Sequence, residues 1–332
     1  MSQLKIAVVG TGKVAENNYL PCLAAEADVE LGYYNRTRSK ADTCAARFGG
    51  QVFPTIQELS DWHPAAYLIL TREMDRYDAA NAILDTHPAR LFFEKPLVAR
   101  LGQEHVAEQD FEDAKRLLQR ANGQRCQTAM VFNYRFFEHT QLAHRIVAER
   151  QFGKVLNVTG LVHYACWSHC IDLVHDFAGP LEQISALQGP TEHGTAFLRA
   201  RDITAAFCTR DGATGTLIGT TTLAWDYPLF ELTLNYEGGR VRMQDLDGDL
   251  EVMDDRRMEV ERYHIYGARS RWDQYNSSFV KSVKAYLDSI RRQQDPPVPG
   301  LYGLLELQVE AGIKRSIAQG RPVLLDEDFP LL

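Results

Sequence analysis

Three short blocks hold the residue types from which a reaction could be built. The stretch HYACWSHCIDLVHD, His163 to Asp176, carries His163, Cys166, His169, Cys170 and His175, side chains that bind zinc or move protons. No paired C-x-x-C and no second cluster at a zinc spacing accompanies them. Cys166 and Cys170 read as small buried hydrophobes, no metal is expected, and the histidines are left for acid–base work or for packing. The block VVGTGKVA places Gly10, Gly12 and Ala15 in the order G-x-G-x-x-A. The first glycine permits a tight turn, the second lets backbone amides reach a pyrophosphate, and the small third residue lets helix and strand pack closely. The third block, FFEKP, ends an apolar run with Glu94, Lys95 and Pro96.

These blocks need elements to hold them. From residue 4 onward, LKIAVVG, VELGYYN, AYLILT, RLFFEKP and CQTAMVF alternate with helical patterns such as SKADTCAARFG and DRYDAANAILDTH. That rhythm predicts βαβ units and a parallel, doubly wound sheet over residues 1–130, a Rossmann domain with the glycine motif in its first βα turn. After residue 150 the runs lengthen, and tight turns at Asp211–Gly212 and Gly238–Gly239 join them. Residues 131–332 therefore read as a second domain, an open and mainly antiparallel β-sheet flanked by helices, giving a fold class of α/β followed by α+β. Helices are expected from near Ser168, over YNSSFVKSVKAYLDSIRRQ, and over LLELQVEAGIKRSIAQG up to Gly320.

Bulk properties agree with two domains. The chain has 332 residues, 45% hydrophobic and 24% charged, and a prior of roughly 150 residues per domain suggests about two. The net charge of −8 and the absence of a Lys/Arg cluster speak against a nucleic-acid partner. No export signal and no membrane-length apolar run is seen, so a cytoplasmic protein with no membrane partner is expected. The six cysteines are scattered, which reads as reduced thiols.

The nucleotide end carries its own selectivity signal. An NAD enzyme places an acid at the end of the second strand, about 20 residues on, to hold the adenosine ribose. Here Asn35 stands in that place, followed by Arg36, Thr37, Arg38 and Ser39, donors suited to a 2′-phosphate. The expected cofactor is NADP(H), with NAD(H) the lesser alternative and a plain solvated basic turn the remaining one. Thr11, Lys13 and Val14 line the glycine turn, while Thr71, Glu94 and Lys95 lie at strand ends on the carboxyl edge, where open α/β sheets bind ligands.

Two further blocks, NYRF with FGKV (Asn133–Phe136, Phe152–Val155) and the terminal run ending in Gly320–Val323, complete a pattern. With them the chain resembles the Gfo/Idh/MocA family of nicotinamide-dependent oxidoreductases over nearly its whole length. The resemblance implies interconversion of an alcohol and a ketone on a sugar, sugar nucleotide or cyclitol. It also implies a second-domain sheet used for a homodimer or homotetramer. Lys95 is the expected catalytic group, since hydride transfer needs a neighbour that stabilises alkoxide charge and exchanges a proton near neutrality. In the family's D-x-x-x-H-x-x-D motif the histidine falls on His169, expected as a catalytic acid–base group or substrate ligand, and the last aspartate on Asp172, expected to support it in catalysis from the same helix face at i and i+3, while the first aspartate falls on Ala165. His163, Tyr164 or His175 are candidates to replace the missing carboxylate. Asn133 and Arg135 are expected to touch substrate or cofactor, and Trp167, Trp225 and Tyr227 could wall a sugar ring. The departure at Ala165 keeps two alternatives open: a cofactor-binding regulator or sensor without turnover, and a lyase that oxidises only transiently.

Overall fold

The computed structural model describes residues 3–195, 198–226, 228–246, 248–264 and 270–331. Six strands form the first sheet: β1 (Leu4–Val9), β2 (Val29–Tyr34), β3 (Gln51–Val52), β4 (Ala66–Ile69), β5 (Arg90–Phe93) and β6 (Gln127–Met130). Their order is β3-β2-β1-β4-β5-β6 and every pairing is parallel. The order reverses beside β1, which opens the crevice that a doubly wound sheet offers to a ligand. Ile6 to Val9 and Ala66 to Ile69 are almost wholly buried, as strands covered by helices on both faces must be. The helices between them are α1 (Leu20–Ala24), entered through a wide turn at Ala15–Tyr19, α2 (Arg38–Phe48), α3 (Ile56–Asp61), α4 (Glu73–Leu84) and α5 (Glu108–Gly123).

The second half holds α6 (Glu138–Glu149), β7 (Val155–His163), α7 (Trp167–Ala178), β8 (Leu181–Gly194), β9 (Arg199–Thr209), β10 (Thr214–Thr220), β11 (Phe230–Tyr236), β12 (Gly239–Gln244), β13 (Asp249–Asp254) and β14 (Glu259–His264). Then come α8 (Arg271–Arg291), α9 (Leu301–Gln319), β15 (Val323–Leu324) and α10 (Leu325–Asp328). The nine-stranded sheet runs β14-β13-β12-β11-β7-β10-β9-β8-β15 and is antiparallel throughout except for the parallel pair β7 and β10. Both glycine turns join neighbouring antiparallel strands, β9 to β10 and β11 to β12. One face is covered: a Cβ on Gly160 would touch Cys170 of α7, and one on Gly312 of α9 would press on Ile184 of β8.

The chain divides differently from a single cut at residue 130. Among the described residues one unit comprises 3–132 with 279–307, and the other lies within 133–278 with 308–331. The return of 279–307 to the first unit has a packing cause. Phe279, Val283, Tyr286 and Leu287 are buried, Phe279 edges onto Tyr19 and Tyr286 lies against Phe92, ring centroids 5.3 and 4.8 Å apart, and the Tyr286 hydroxyl donates to the Met130 carbonyl. The segment before α9 also adds to the edge of β6, with Met130 N donating to Val298 O at 3.0 Å and Gly300 N to Thr128 O at 2.8 Å. Among the described residues no helix is long and apolar enough to cross a membrane.

Candidate active site

The first unit contains a cleft of about 480 Å³ at the carboxyl ends of β1, β2 and β4, lined by Gly10, Gly12, Lys13, Asn35, Arg36, Thr37 and Thr71 among others. Gly10 sits at φ +97°, and a Cβ there would lie 2.6 Å from Thr71 N, so only glycine lets β1 and β4 close up at this point. A Cβ on Gly12 would meet nothing within 4 Å; its lack of a side chain leaves room for something that is not protein. Thr71 Oγ1 is buried without a hydrogen-bond partner among the described residues, and buried hydroxyls are normally partnered. Open space over Gly12 and an unused hydroxyl on the opposite wall fit a dinucleotide, and the size suits a cofactor site.

The end of β2 is organised by Asn35. Its Oδ1 accepts from Thr11 N at 3.4 Å and its Nδ2 donates to Thr37 O at 2.9 Å, so this side chain braces the turn. Arg36 lines the cleft but spends its guanidinium on Asp75, with Nη1–Oδ1 and Nη2–Oδ2 both 3.4 Å. Arg72 Nη2 lies 3.2 Å from the same carboxylate. Arg38 does not line the cleft; it points to Asp42, 3.8 Å away. Val14 is 46% exposed and also stands off the lining. Lys40, Arg72, Asp75 and Asp78 also line it; of the stretch TREMD only Thr71 stands at a strand end, so the pattern does not mark Arg72 and Asp75.

Lys95 and Glu94 leave the end of β5, and the Lys95–Pro96 bond is cis. Glu94 is held on both oxygens: Oε1 accepts from the Tyr19 hydroxyl at 2.7 Å and Oε2 from Lys95 N at 2.6 Å. Lys95 Nζ donates to Gln103 Oε1 at 3.2 Å, from a single turn of helix in the segment after Pro96. Below this loop lies Arg76, 2% exposed, which donates to Pro96 O and, at 2.9 Å, to Thr71 O. One buried guanidinium thus joins the strand exits that carry Lys95 and Thr71. A pattern of residue types does not reveal Arg76, whose partners are backbone carbonyls.

In the second unit α7 carries His169 and Asp172 one turn apart. His169 is buried and stacks face to face on Tyr134, with centroids 3.8 Å apart and planes at 7°. Asp172 has no exposed surface and is gripped by Arg135, whose Nε and Nη2 donate to its two oxygens at 2.9 and 2.6 Å. Arg135 Nη1 also meets Asp176 at 2.8 Å, and Asp176 in turn meets His144 Nε2 at 2.7 Å. Burial pushes the Asp172 carboxyl up to about 6, with the Arg135 charge working against that rise. The expectation that Arg135 reaches a substrate meets a guanidinium already committed to two carboxylates. Asn133 is likewise engaged, donating to Ser278 Oγ at 2.8 Å.

His163 closes β7. Its Nδ1 accepts from Ala165 N at 3.2 Å, which leaves the hydrogen on Nε2 of a neutral ring, and burial lowers its pKa below the usual imidazole value. Its ring lies 4.9 Å from Trp225, which stacks at 6.5 Å on Trp272. Both tryptophans are about half exposed, whereas Trp167 is 2% exposed. Trp167 belongs to the core with Tyr164 stacked on it, and the exposed ring beside Trp225 is Trp272. Tyr227 lies outside the described residues. Among those residues no group of three or more His, Cys, Asp or Glu is arranged to hold a metal ion.

Residues 4–132 match the family model described as "Oxidoreductase family, NAD-binding Rossmann fold", GFO_IDH_MocA. Over these residues, fewer than half of the chain, the sequence is similar to the nucleotide-binding half of the Gfo/Idh/MocA oxidoreductases. Both halves share the fold of solved oxidoreductases. An NAD binding oxidoreductase from Klebsiella pneumoniae superposes with a TM-score of 0.82 at 16% identity, over 98% of this chain and 99% of that one. The WlbA dehydrogenase from Bordetella pertussis, solved with NADH and UDP-GlcNAcA, gives 0.74 at 18% identity over 97% and 98%. A structure described as a putative NADPH-dependent oxidoreductase from Desulfitobacterium hafniense gives 0.80 at 13% over 98% and 99%. Among curated proteins no sequence matches this chain.

Proposed function

We propose that the chain is an NADP(H)-dependent oxidoreductase that interconverts an alcohol and a ketone on a carbohydrate-like small molecule: a sugar, a sugar nucleotide or a cyclitol. The observation that carries this reading is the cleft over Gly12, with the Arg36 guanidinium at its ribose end and the unused Thr71 hydroxyl on its wall. When bound, the nicotinamide donates or accepts the hydride. Gly10, Gly12, Lys13 and Thr71 hold the dinucleotide. Lys95, steadied by Gln103, exchanges the proton of the reacting oxygen. His169 serves as acid–base partner or substrate ligand, and the neutral His163 offers an Nε2–H where the family's first aspartate is replaced by Ala165. Arg135 and Asp172 position α7 rather than touch substrate. The exposed Trp225 and Trp272 suit the apolar face of a sugar ring.

The protein is tested with UDP-N-acetylglucosamine, UDP-GlcNAcA, myo-inositol and levoglucosan as probes, following NADPH absorbance in both directions. Turnover of at least one, lost by about 10²–10⁴-fold in Lys95→Ala while NADPH still binds, is the expected result. NADPH binding with no turnover of any probe, and an unaltered Lys95→Ala, would favour a cofactor-binding sensor.

The same proposal includes a homodimer or homotetramer formed through the uncovered face of the nine-stranded sheet. Leu187, Thr204, Ile218 and Leu161 stand side by side across β8, β9, β10 and β7, with Leu187 76% and Leu161 39% exposed. Light scattering on Leu187→Glu should give a smaller species than the wild type; a wild-type monomer refutes the assembly.

A further inference from the structure

Asp75 faces Arg36, one of the residues whose type bears on cofactor choice. It occupies the first turn of α4, and its two carboxylate oxygens receive Arg36 at 3.4 and 3.4 Å and Arg72 at 3.2 Å. All three residues line the same cleft as Asn35 and Thr37. A carboxylate in the first turn of a helix is commonplace, since it complements the helix dipole. Two guanidiniums from different loops converging on it at the ribose end of a nucleotide cleft are a separate matter.

The two nicotinamide cofactors ask opposite things of this corner. The ribose 2′-hydroxyl of NAD(H) is a donor and needs an acceptor, which an acid at the end of β2 would supply. Asn35 stands there, with its Oδ1 turned to Thr11 N and its Nδ2 to Thr37 O. Asp75, a carboxylate that lines the same cleft, is the one that meets Arg36. The 2′-phosphate of NADP(H) is a dianion at neutral pH and needs the guanidiniums, which Asp75 holds and half-neutralises: two positive charges against one negative leave one. To receive a phosphate, Arg36 must turn away from Asp75, and the bared carboxylate then repels the phosphate across a screened but short distance.

We infer that Asp75 is the residue that sets the ratio of NADH to NADPH binding, acting as acceptor for the 2′-hydroxyl and as competitor of the 2′-phosphate for Arg36 and Arg72. The chain then accepts both cofactors, and its preference for NADPH is held below what its two arginines alone would give. This inference rests on the nucleotide-binding reading above and is independent of the substrate.

The test is fluorescence titration of NADPH and NADH into the full-length protein, with no substrate present. Asp75→Asn removes the charge and Asp75→Ser keeps an oxygen at the start of α4; thermal melts confirm that both fold. In each, the ratio of the NADH Kd to the NADPH Kd should rise by about tenfold, the change expected for removing one nearby like charge, with NADPH tighter and NADH weaker than in the wild type. Arg36→Gln should move the ratio the other way. Added salt should weaken NADPH binding to Asp75→Asn more steeply than to the wild type, because two uncompensated guanidiniums then meet the phosphate. If both Asp75 variants bind the two cofactors in the wild-type ratio, the inference is overturned while the nucleotide-binding reading stands. If the wild type binds neither cofactor, that reading fails and this inference with it.

Discussion

At the scale of single residues, the buried ion pair of Arg135 and Asp172 makes an unequal prediction for its two members. Asp172→Asn leaves Arg135 paired with Asp176 at 2.8 Å, and a neutral amide in a buried site avoids the desolvation that lifts the carboxyl, so little stability should be lost. Arg135→Leu strands a fully buried carboxylate, and breaking such a pair from one side costs about 3–5 kcal/mol. The pH dependence follows from the direction of the shift. Asp172 has a folded pKa raised to about 6 from 3.8, so the folded state holds the proton more tightly and stability falls as pH rises through that window. Without the guanidinium the window moves higher still. Urea unfolding of Arg135→Leu should show a penalty that is small at pH 5 and full at pH 8, and equal penalties at the two pH values would refute the assignment.

At the scale of elements, Gly10 and Gly12 are one motif in sequence and two different devices in the structure. Gly10 lets β1 pass the start of the loop after β4, with backbone atoms of Leu70 and Thr71 under 3 Å from where its Cβ would be. Gly10→Ala combines a left-handed backbone with a collision against main chain and should lower stability by about 1–3 kcal/mol. Gly12 meets open space, so Gly12→Ala should melt like the wild type yet bind NADPH at least about tenfold more weakly. A melt paired with a titration checks both; a Gly12→Ala protein that binds normally would show that the pyrophosphate lies elsewhere. The five longer strands of the first sheet were legible because strands buried on both faces read as continuous apolar runs. Helix α6 was not singled out, since its buried side includes His139 and Thr140, which hide the apolar stripe. Gln103, Arg76 and Asp75 were invisible for another reason: each acts through a partner brought by the fold, a lysine, two carbonyls and two arginines, and no local period records such meetings.

At the scale of the whole molecule, the sequence pattern announced two domains but not that one of them is discontinuous, because apolar residues on α8 declare a buried face without saying which core receives it. The structure assigns residues 279–307 to the nucleotide-binding unit. There Phe279 and Tyr286 complete an aromatic cluster with Tyr19 and Phe92, and Arg291 joins Glu26 and Asp28 at 2.7 and 2.6 Å. A fragment of residues 1–132 would bare Tyr19, Leu68, Phe92 and Val131, which line one small apolar pocket with Val283, Tyr286 and Leu287, and would leave an edge of β6 unpaired. Burying a large apolar side chain contributes about 1.5–3 kcal/mol, so losing several such contacts exceeds the margin of an ordinary domain. The fragment 1–132 should therefore aggregate or unfold without a cooperative melt. The same fragment joined by a long flexible linker to residues 279–307 should melt cooperatively and bind NADPH within a few-fold of the full chain. Circular dichroism and fluorescence titration separate these outcomes, and a stable, NADPH-binding 1–132 would show that the returning segment covers a unit already complete.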